Sequence, residues 1–220
     1  MTVHDSDTVA EIILARRVSV PRNEAILVAV SGIDGSGKGY FTSLLVPQLN
    51  ARGVSGVGIN IDGWLALPDV RFSTIDASGN FYRNGLRLDE MFERLILPLK
   101  RTRSVAIEAD FAPPESMATG FRRHRYEYRD VDVLVLDGIF LLKKRYRALY
   151  DLTIWVDCTF ETALERALQR NQEGLPETEI VREYETIYFP AEGVHFVLDR
   201  PREMADLIVV NDTRLDGALV

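Results

Sequence analysis

Two patterns of apolar residues alternate along the chain. Short runs at 25–30, 57–61, 104–109, 131–136, 152–156 and 206–210 have the length and β-branched content of buried strands. Between them, apolar residues recur at three- and four-residue spacing. Val9, Ile12, Ile13 and Val18 mark a leading helix over 8–18, with Arg16 and Arg17 near its end, where cations suit the helix dipole. Phe41, Leu44, Leu45 and Leu49 mark a second helix that runs to about Ala51 and stops at Gly53. A third carries Leu88, Met91, Phe92, Leu95 and Ile96 on one face, with Pro98 near its end. A fourth spans 159–170 with Thr159 as its N-cap, and a polar helix over 177–188 is expected to break at Pro190.

Strands alternating with helices from 25 to 210 predict an α/β fold, a mostly parallel sheet with helices on both faces. Ligands of such sheets sit beyond the carboxyl ends of the strands. The turn 32–39, Asp62, Asp110 and Asp137 all follow strand runs directly, and are expected to converge on one crevice. Two stretches fit the alternation less well. Residues 63–87 are rich in Gly, Asp, Ser, Asn and Arg, with aromatic residues interspersed, and read as a binding loop in which Tyr82 and Arg83 are candidates to contact a substrate. Residues 121–129 concentrate positive charge and read as a solvated hairpin strand with alternating faces.

The turn after the first buried strand carries the chemistry. Gly32-Ile-Asp34-Gly35-Ser36-Gly37-Lys38 fits the phosphate-binding pattern GxxxxGK[ST] at every fixed position but the last, where Gly39 replaces a hydroxyl. Glycines let the main chain approach a ligand so that successive N–H groups point at phosphate oxygens. The helix that follows adds its positive end, and Lys38 adds a mobile full charge. Gly32, Asp34, Gly35, Ser36, Gly37, Lys38, Gly39 and Tyr40 are therefore the expected nucleotide-binding residues. Thr42 and Ser43 lie a helical turn too far along to replace the missing hydroxyl, so Mg²⁺ would have to be held by carboxylates and water. The run 131–136, closed by Asp137-Gly138, has the form of a metal-binding strand end.

Composition narrows the setting. With 220 residues, 46% apolar and 27% charged, the chain suits one domain, 1–220, in which 1–24 is a leading helix and linker. A net charge of −7 argues against a nucleic-acid partner. The single cysteine, Cys158, forms no internal disulfide, and no apolar run is long enough to cross a bilayer. Acids precede and arginines follow the short N-terminal apolar segment, the reverse of a secretory signal, so a cytoplasmic protein without membrane contact is expected. Whether it is a homo-oligomer is left open.

The order of these pieces resembles the uridine kinase group of P-loop small-molecule kinases, relatives of phosphoribulokinase and bacterial pantothenate kinase. The resemblance covers about 25–211 and rests on Gly32–Lys38, Asp62, Asp110-Phe111 and Leu136-Asp137-Gly138-Ile-Phe-Leu141. Asp157 with the helix bearing Arg166 and Arg170, and Ala205-Asp206-Leu-Ile-Val, complete it. It implies the P-loop NTPase fold of nucleoside and nucleotide kinases and ATP with Mg²⁺ as cofactors. It implies transfer of the γ-phosphoryl group to a hydroxyl of a nucleoside or similar small metabolite. In that family's terms Lys38 holds ATP phosphates, Asp62 orients or deprotonates the acceptor and shares the metal with Asp137, and Asp110-Phe111 helps hold the acceptor. Arg166 and Arg170 belong to a lid over 166–190, and 63–87 with 110–129 form the acceptor side. Asp137 stands where the family usually has Glu, and Asp110-Phe111 is followed by Ala-Pro-Pro-Glu without the usual His and Arg that help hold a pyrimidine nucleoside. The loop also looks like that of thymidylate kinases, whose Asp-Arg-Tyr element has no counterpart here. The alternatives are a thymidylate kinase-like nucleoside monophosphate kinase and a nucleotide-binding module with little or no transfer.

Overall fold

A computed structural model describes residues 2–3, 5–112, 120–171 and 174–215. The Pro-Pro-Glu stretch at 113–115 and residues 172 and 173 of the expected lid lie outside them.

In chain order the elements are β1 (Thr2–Val3), α1 (Ser6–Arg17), β2 (Ile26–Ser31), α2 (Lys38–Ala51) and β3 (Gly56–Asn60), which runs into a 3₁₀ turn, Ile61–Trp64. Then come α3 (Pro68–Arg71), α4 (Ala77–Asn84), α5 (Leu88–Met91), α6 (Leu97–Thr102), β4 (Val105–Phe111), β5 (Arg122–Tyr128) and β6 (Val133–Gly138). β7 (Leu152–Asp157), α7 (Phe160–Arg170), α8 (Glu177–Glu183), α9 (Phe189–Asp199), α10 (Pro201–Met204) and β8 (Leu207–Val210) complete the described chain.

Six strands form one sheet in the order β1-β8-β7-β2-β6-β3, with every neighbouring pair parallel. All six residues of β2 are buried, because the sheet is covered on both faces. Ala25, Leu27 and Ala29 pack into a core with Leu88, Met91, Leu95 and Leu99. Ile26, Val28 and Val30 pack into another with Val9 and Ile13 of α1 and Phe41, Leu45 and Leu49 of α2. Burying each such Leu or Ile stabilises the fold by roughly 1.5–3 kcal/mol. The chain leaves β2 toward β3 on one side and later returns to β7 on the other. The carboxyl end of β2 is thus a switch point, where open parallel sheets form crevices.

Three expectations need correction. The run 104–109 does not join the parallel sheet: β4 pairs antiparallel with β5 as a separate hairpin, with Asp110 opposite Arg123. The charged stretch is thus a hairpin strand with outward Arg–Glu and Arg–Asp pairs. Residues 63–87 are not an open loop, since Asp76 caps α4 by accepting from the Gly79 N–H, and Phe81 and Tyr82 are buried. Pro190 does not break the chain. It follows a π-turn, Tyr184–Tyr188, and the helix continues to Asp199; Pro98 follows a second π-turn, Phe92–Ile96, in the same way. A proline removes one N–H and crowds the carbonyl four residues back, and the wider turn relieves both.

Candidate active site

The loop between β2 and α2 is fixed by its backbone. Gly37 is the N-cap of α2 with φ +88, and Asn211 lies where its Cβ would be, the nearest atom 2.2 Å away. Only glycine satisfies both conditions. The first loop-to-helix bond runs from the Phe41 N–H to the Gly37 carbonyl, so the N–H groups opening α2, at Lys38, Gly39 and Tyr40, have no preceding helical carbonyl to bond. Tyr40 itself is exposed. Gly32, Gly35 and Ser36 form the turn, closed by a Ser36 N–H to Ile33 carbonyl bond of 3.1 Å.

Lys38 is buried and lies back across the loop, donating to the Ile33 carbonyl at 3.3 Å and standing 3.9 Å from Asp34. Asp34 also accepts from the Tyr184 hydroxyl and lies 3.6 Å from Arg170. Burial opposes its ionisation, but Lys38, Arg170 and the Tyr184 hydroxyl outweigh it and hold the carboxyl below the ordinary aspartate range.

Strand register brings the acids to the same place. Asp137 lies opposite Val30 of β2 and Asn60 of β3, level with the start of the loop. The Asn60 side chain bridges to the next acid: its oxygen accepts from the Asp62 N–H at 2.7 Å and its NH₂ reaches Asp137 at 3.5 Å. Gly63 admits the Phe111 ring, which stands 2.4 Å from where a Cβ would be, and the Ala112 N–H bonds the Gly63 carbonyl. The end of the hairpin is thereby pinned over Asp62. Asp137 is 4% exposed, and burial, reinforced by Asp62, pushes its pKa up to about 6 despite the pull of Lys38.

Mg²⁺ fits this arrangement. The Asp137 Oδ1 is buried without a partner, as are the hydroxyls of Ser31, Ser36 and Thr42 around the same strand end and helix start. A cation beside Asp137 would satisfy the oxygen and lower its pKa. Among the described residues no group of three or more His, Cys, Asp or Glu forms a metal cage. Asp137 and Asp62 would therefore share the ion with phosphate oxygens and water, as Mg²⁺ sites commonly do.

Beside the loop opens a cavity of about 500 Å³. Asp34, Asp62, Arg170 and Phe111, all expected site residues, line it. Tyr82, Arg83 and Asp110, expected to hold the acceptor, do not. The Tyr82 hydroxyl is turned into the core onto Asp199, which also bonds His195 at 2.7 Å. Arg83 is spent on Asp76 at 2.6 Å, and Asp110 on Arg123 at 2.8 Å on the hairpin's outer side. Arg166 differs from its lid role as well. It donates to the Gly35, Ser36 and Asn211 carbonyls at 3.4, 3.1 and 2.8 Å and braces the loop from behind. Asn211 adds a 2.7 Å bond to the Ser36 carbonyl.

Sequence reasoning missed Asn60, Arg71, Tyr188 and Glu192, which also line the cavity. Glu192 is 2% exposed and its Oε2 has no partner. Burial pushes its pKa up to about 8, with Lys38, Lys143 and the Asp34 N–H pulling it down and Asp34 pushing it up. The only available signal was its position one turn past the π-turn that Pro190 requires.

No family model matches the sequence, and no curated protein matches it. Solved structures do. A Bacillus stearothermophilus protein described as a possible uridine kinase superposes with a TM-score of 0.71 at 19% identity, covering 93% of this chain and 96% of that one. A Silicibacter sp. TM1040 protein provisionally described as a fructose transport system kinase gives 0.70 at 20% identity, covering 94% and 99%. D-glycerate 3-kinase from Cryptococcus neoformans var. grubii gives 0.66 at 13% identity, covering 95% and 96%. The chain shares the fold of these structures. At these identities the likeness establishes the α/β P-loop NTPase fold and leaves the acceptor to be argued from the site. Among the described residues no helix is long and apolar enough to cross a membrane.

Proposed function

We propose that the protein is an ATP-dependent phosphotransferase that moves the γ-phosphoryl group to a hydroxyl of a small metabolite. The observation that carries this reading is the strand register. It puts Asp137, Asn60 and Asp62 beside a loop whose lysine is buried and whose helix opens on N–H groups without helical acceptors. Phosphoryl transfer needs in-line positioning and neutralisation of charge more than covalent catalysis, and a lysine, arginines and acids beside one cavity support that reading.

The loop N–H groups and Lys38 hold the β- and γ-phosphates, Lys38 leaving the Ile33 carbonyl to reach them. Asp62, at the cavity wall and pinned through Asn60, accepts the proton of the acceptor hydroxyl as it attacks. Asp137 and Asp62 would hold Mg²⁺, which would supply neutralisation of charge on the phosphates. Arg170, already at the cavity and 3.6 Å from Asp34, shifts to the transferring group.

The test is ADP release measured with and without Mg²⁺ and across acceptors. ADP formation is expected to require both, and to collapse in Lys38→Ala and Asp62→Asn proteins that retain their folded circular dichroism. Turnover that ignores the acceptor, or persists in Asp62→Asn, refutes the reading. ATP binding without turnover on any acceptor would leave a nucleotide-binding module.

A further inference from the structure

The cavity holds one cation whose charge the protein does not answer closely. Arg71 lines it and is 7% exposed. Among the described residues its guanidinium makes one hydrogen bond, to the Ala66 carbonyl at 3.3 Å, and it stands 5.0 Å from the centre of the Phe72 ring. Tyr188 and Glu183 act on its charge, but among the described residues no carboxylate forms an ion pair with it, and burial still disfavours the charged form. The other cations of the site are committed: Lys38 and Arg170 both face Asp34. A guanidinium has five N–H donors, and a buried charge left with one weak bond is costly unless a ligand completes it.

Its backbone is also held in place. Asn80 donates to the carbonyls of Val70 and Arg71, both at 2.9 Å, so the short helix α3 is tied to α4 at the residue that bears the guanidinium. The same cavity wall carries the apolar Leu65, Phe81 and Ile139 beside the acids Asp34, Asp62 and Glu192. Such a pocket recognises a compact molecule with an anionic end, and planar two-point recognition of a carboxylate or phosphate is what an arginine fork provides.

We infer that the acceptor carries an anionic group, a carboxylate or a phosphate, and that Arg71 binds it while the hydroxyl to be phosphorylated lies at Asp62. The inference rests on the phosphotransfer reading of the same site.

The experiment compares short hydroxycarboxylic acids, sugar monophosphates, neutral sugars and nucleosides as acceptors in ADP release by the full chain. The best anionic acceptor is expected to exceed its neutral counterpart in kcat/KM by about 30-fold or more. Arg71→Gln is expected to raise KM for it by a similar factor, and Arg71→Lys to recover part of that loss. Preference for hydroxy acids identifies a carboxylate, and preference for sugar phosphates identifies a phosphate. A neutral acceptor that outperforms both, or a KM unmoved by Arg71→Gln, overturns the inference while leaving phosphotransfer intact. Should no acceptor yield ADP, phosphotransfer itself falls, and thermal melting decides the anion site separately. Hydroxy acids or sugar phosphates that raise the Tm of the wild type but not of Arg71→Gln uphold it; equal shifts or none overturn it. Melting curves of both Arg71 variants without ligand confirm that each is folded.

Discussion

The two halves of the site are built on opposite economies of hydrogen bonding. On the phosphate side the side chains that brace the loop are answered by the protein: Arg166 and Asn211 bond the loop carbonyls, Asp34 faces Lys38, Arg170 and Tyr184, and Asp212 receives the Thr159 N–H and hydroxyl. The open atoms there, the Asp137 Oδ1 and the Ser31, Ser36 and Thr42 hydroxyls, gather at the strand end and helix start. On the acceptor side, Arg71 and Glu192 keep polar capacity that nothing among the described residues uses. The contrast has a physical origin. A phosphate chain is met by backbone N–H groups whose directions must be set beforehand, whereas an acceptor is chosen by side-chain groups that wait for it.

Removing the groups proposed to act on the transferring phosphoryl is the strongest way to break the comparison. Asp62→Asn should lower kcat by about 10²–10⁴-fold, the range for a lost general base, and Lys38→Ala should act at least as strongly through the phosphates. Neither should cost much stability, because Asp62 sits at a cavity wall and Asp34 retains Arg170 when Lys38 is gone. Steady-state ADP release alongside melting curves checks both halves of this statement. A large fall in Tm would mean that these residues hold the fold instead of the ligand.

Glu192 sharpens the contrast through pH. Its folded pKa, about 8, lies above that of an exposed glutamate, so between roughly pH 4.5 and 8 the folded state keeps a proton that the unfolded state has released. Stability therefore falls as pH rises through that window, by about 5 kcal/mol for the whole shift. Glu192→Gln removes the titrating group at nearly constant shape. The variant should match the wild type near pH 4.5 and become progressively more stable than it up to pH 8, measured by urea denaturation at each pH. A constant gap across the window contradicts the buried, protonated state.

The phosphate side predicts a backbone effect. Gly37→Ala must hold φ near +88 and displace the Asn211 amide 2.2 Å from the new methyl group, so it should cost about 1–3 kcal/mol and weaken ATP binding. On the acceptor wall Gly63→Ala meets no positive φ, but its methyl group would press on the Phe111 ring 2.4 Å away, so a fall in Tm there reports side-chain crowding and not backbone strain.

How far the sequence could be read follows the same division. The loop, the strand-end acids Asp62 and Asp137, and the alternation of strands and helices depend on neighbours within a few residues, and all were visible in spacing. The Thr159 cap was equally local, its hydroxyl accepting from the Thr162 N–H. Asp110 misled because a strand run closed by an acid looks the same whether its partner is parallel or antiparallel, and only pairing with 122–128 decides that. Tyr82 and Arg83 misled because an aromatic and a cation in a polar stretch look like a binding loop until α4 turns one into the core and the other onto Asp76. Arg71 carried no local signal, and Glu192 none beyond its place after Pro190. They stand 121 positions apart in the chain and meet only as walls of one cavity.

The smallest expected effect tests the joint between the two halves, at Gly39. A Cβ built there would lie 3.6 Å from the Asp137 Oδ2, an ordinary contact, and in a helical first turn that accepts a side chain without strain. Serine therefore fits, and its hydroxyl would add an oxygen beside the carboxylate that has an unpartnered atom. Gly39→Ser should leave the fold intact and, by replacing a flexible glycine inside a helix, stabilise it by a few tenths of a kcal/mol. If Asp137 is the centre of the Mg²⁺ site, the Mg²⁺ concentration giving half-maximal ADP release should fall several-fold with kcat little changed. If instead the half-maximal concentration is unmoved while Asp137→Asn abolishes turnover, the carboxylate acts on Lys38 and not on the metal, and the division of labour at this joint is drawn in the wrong place.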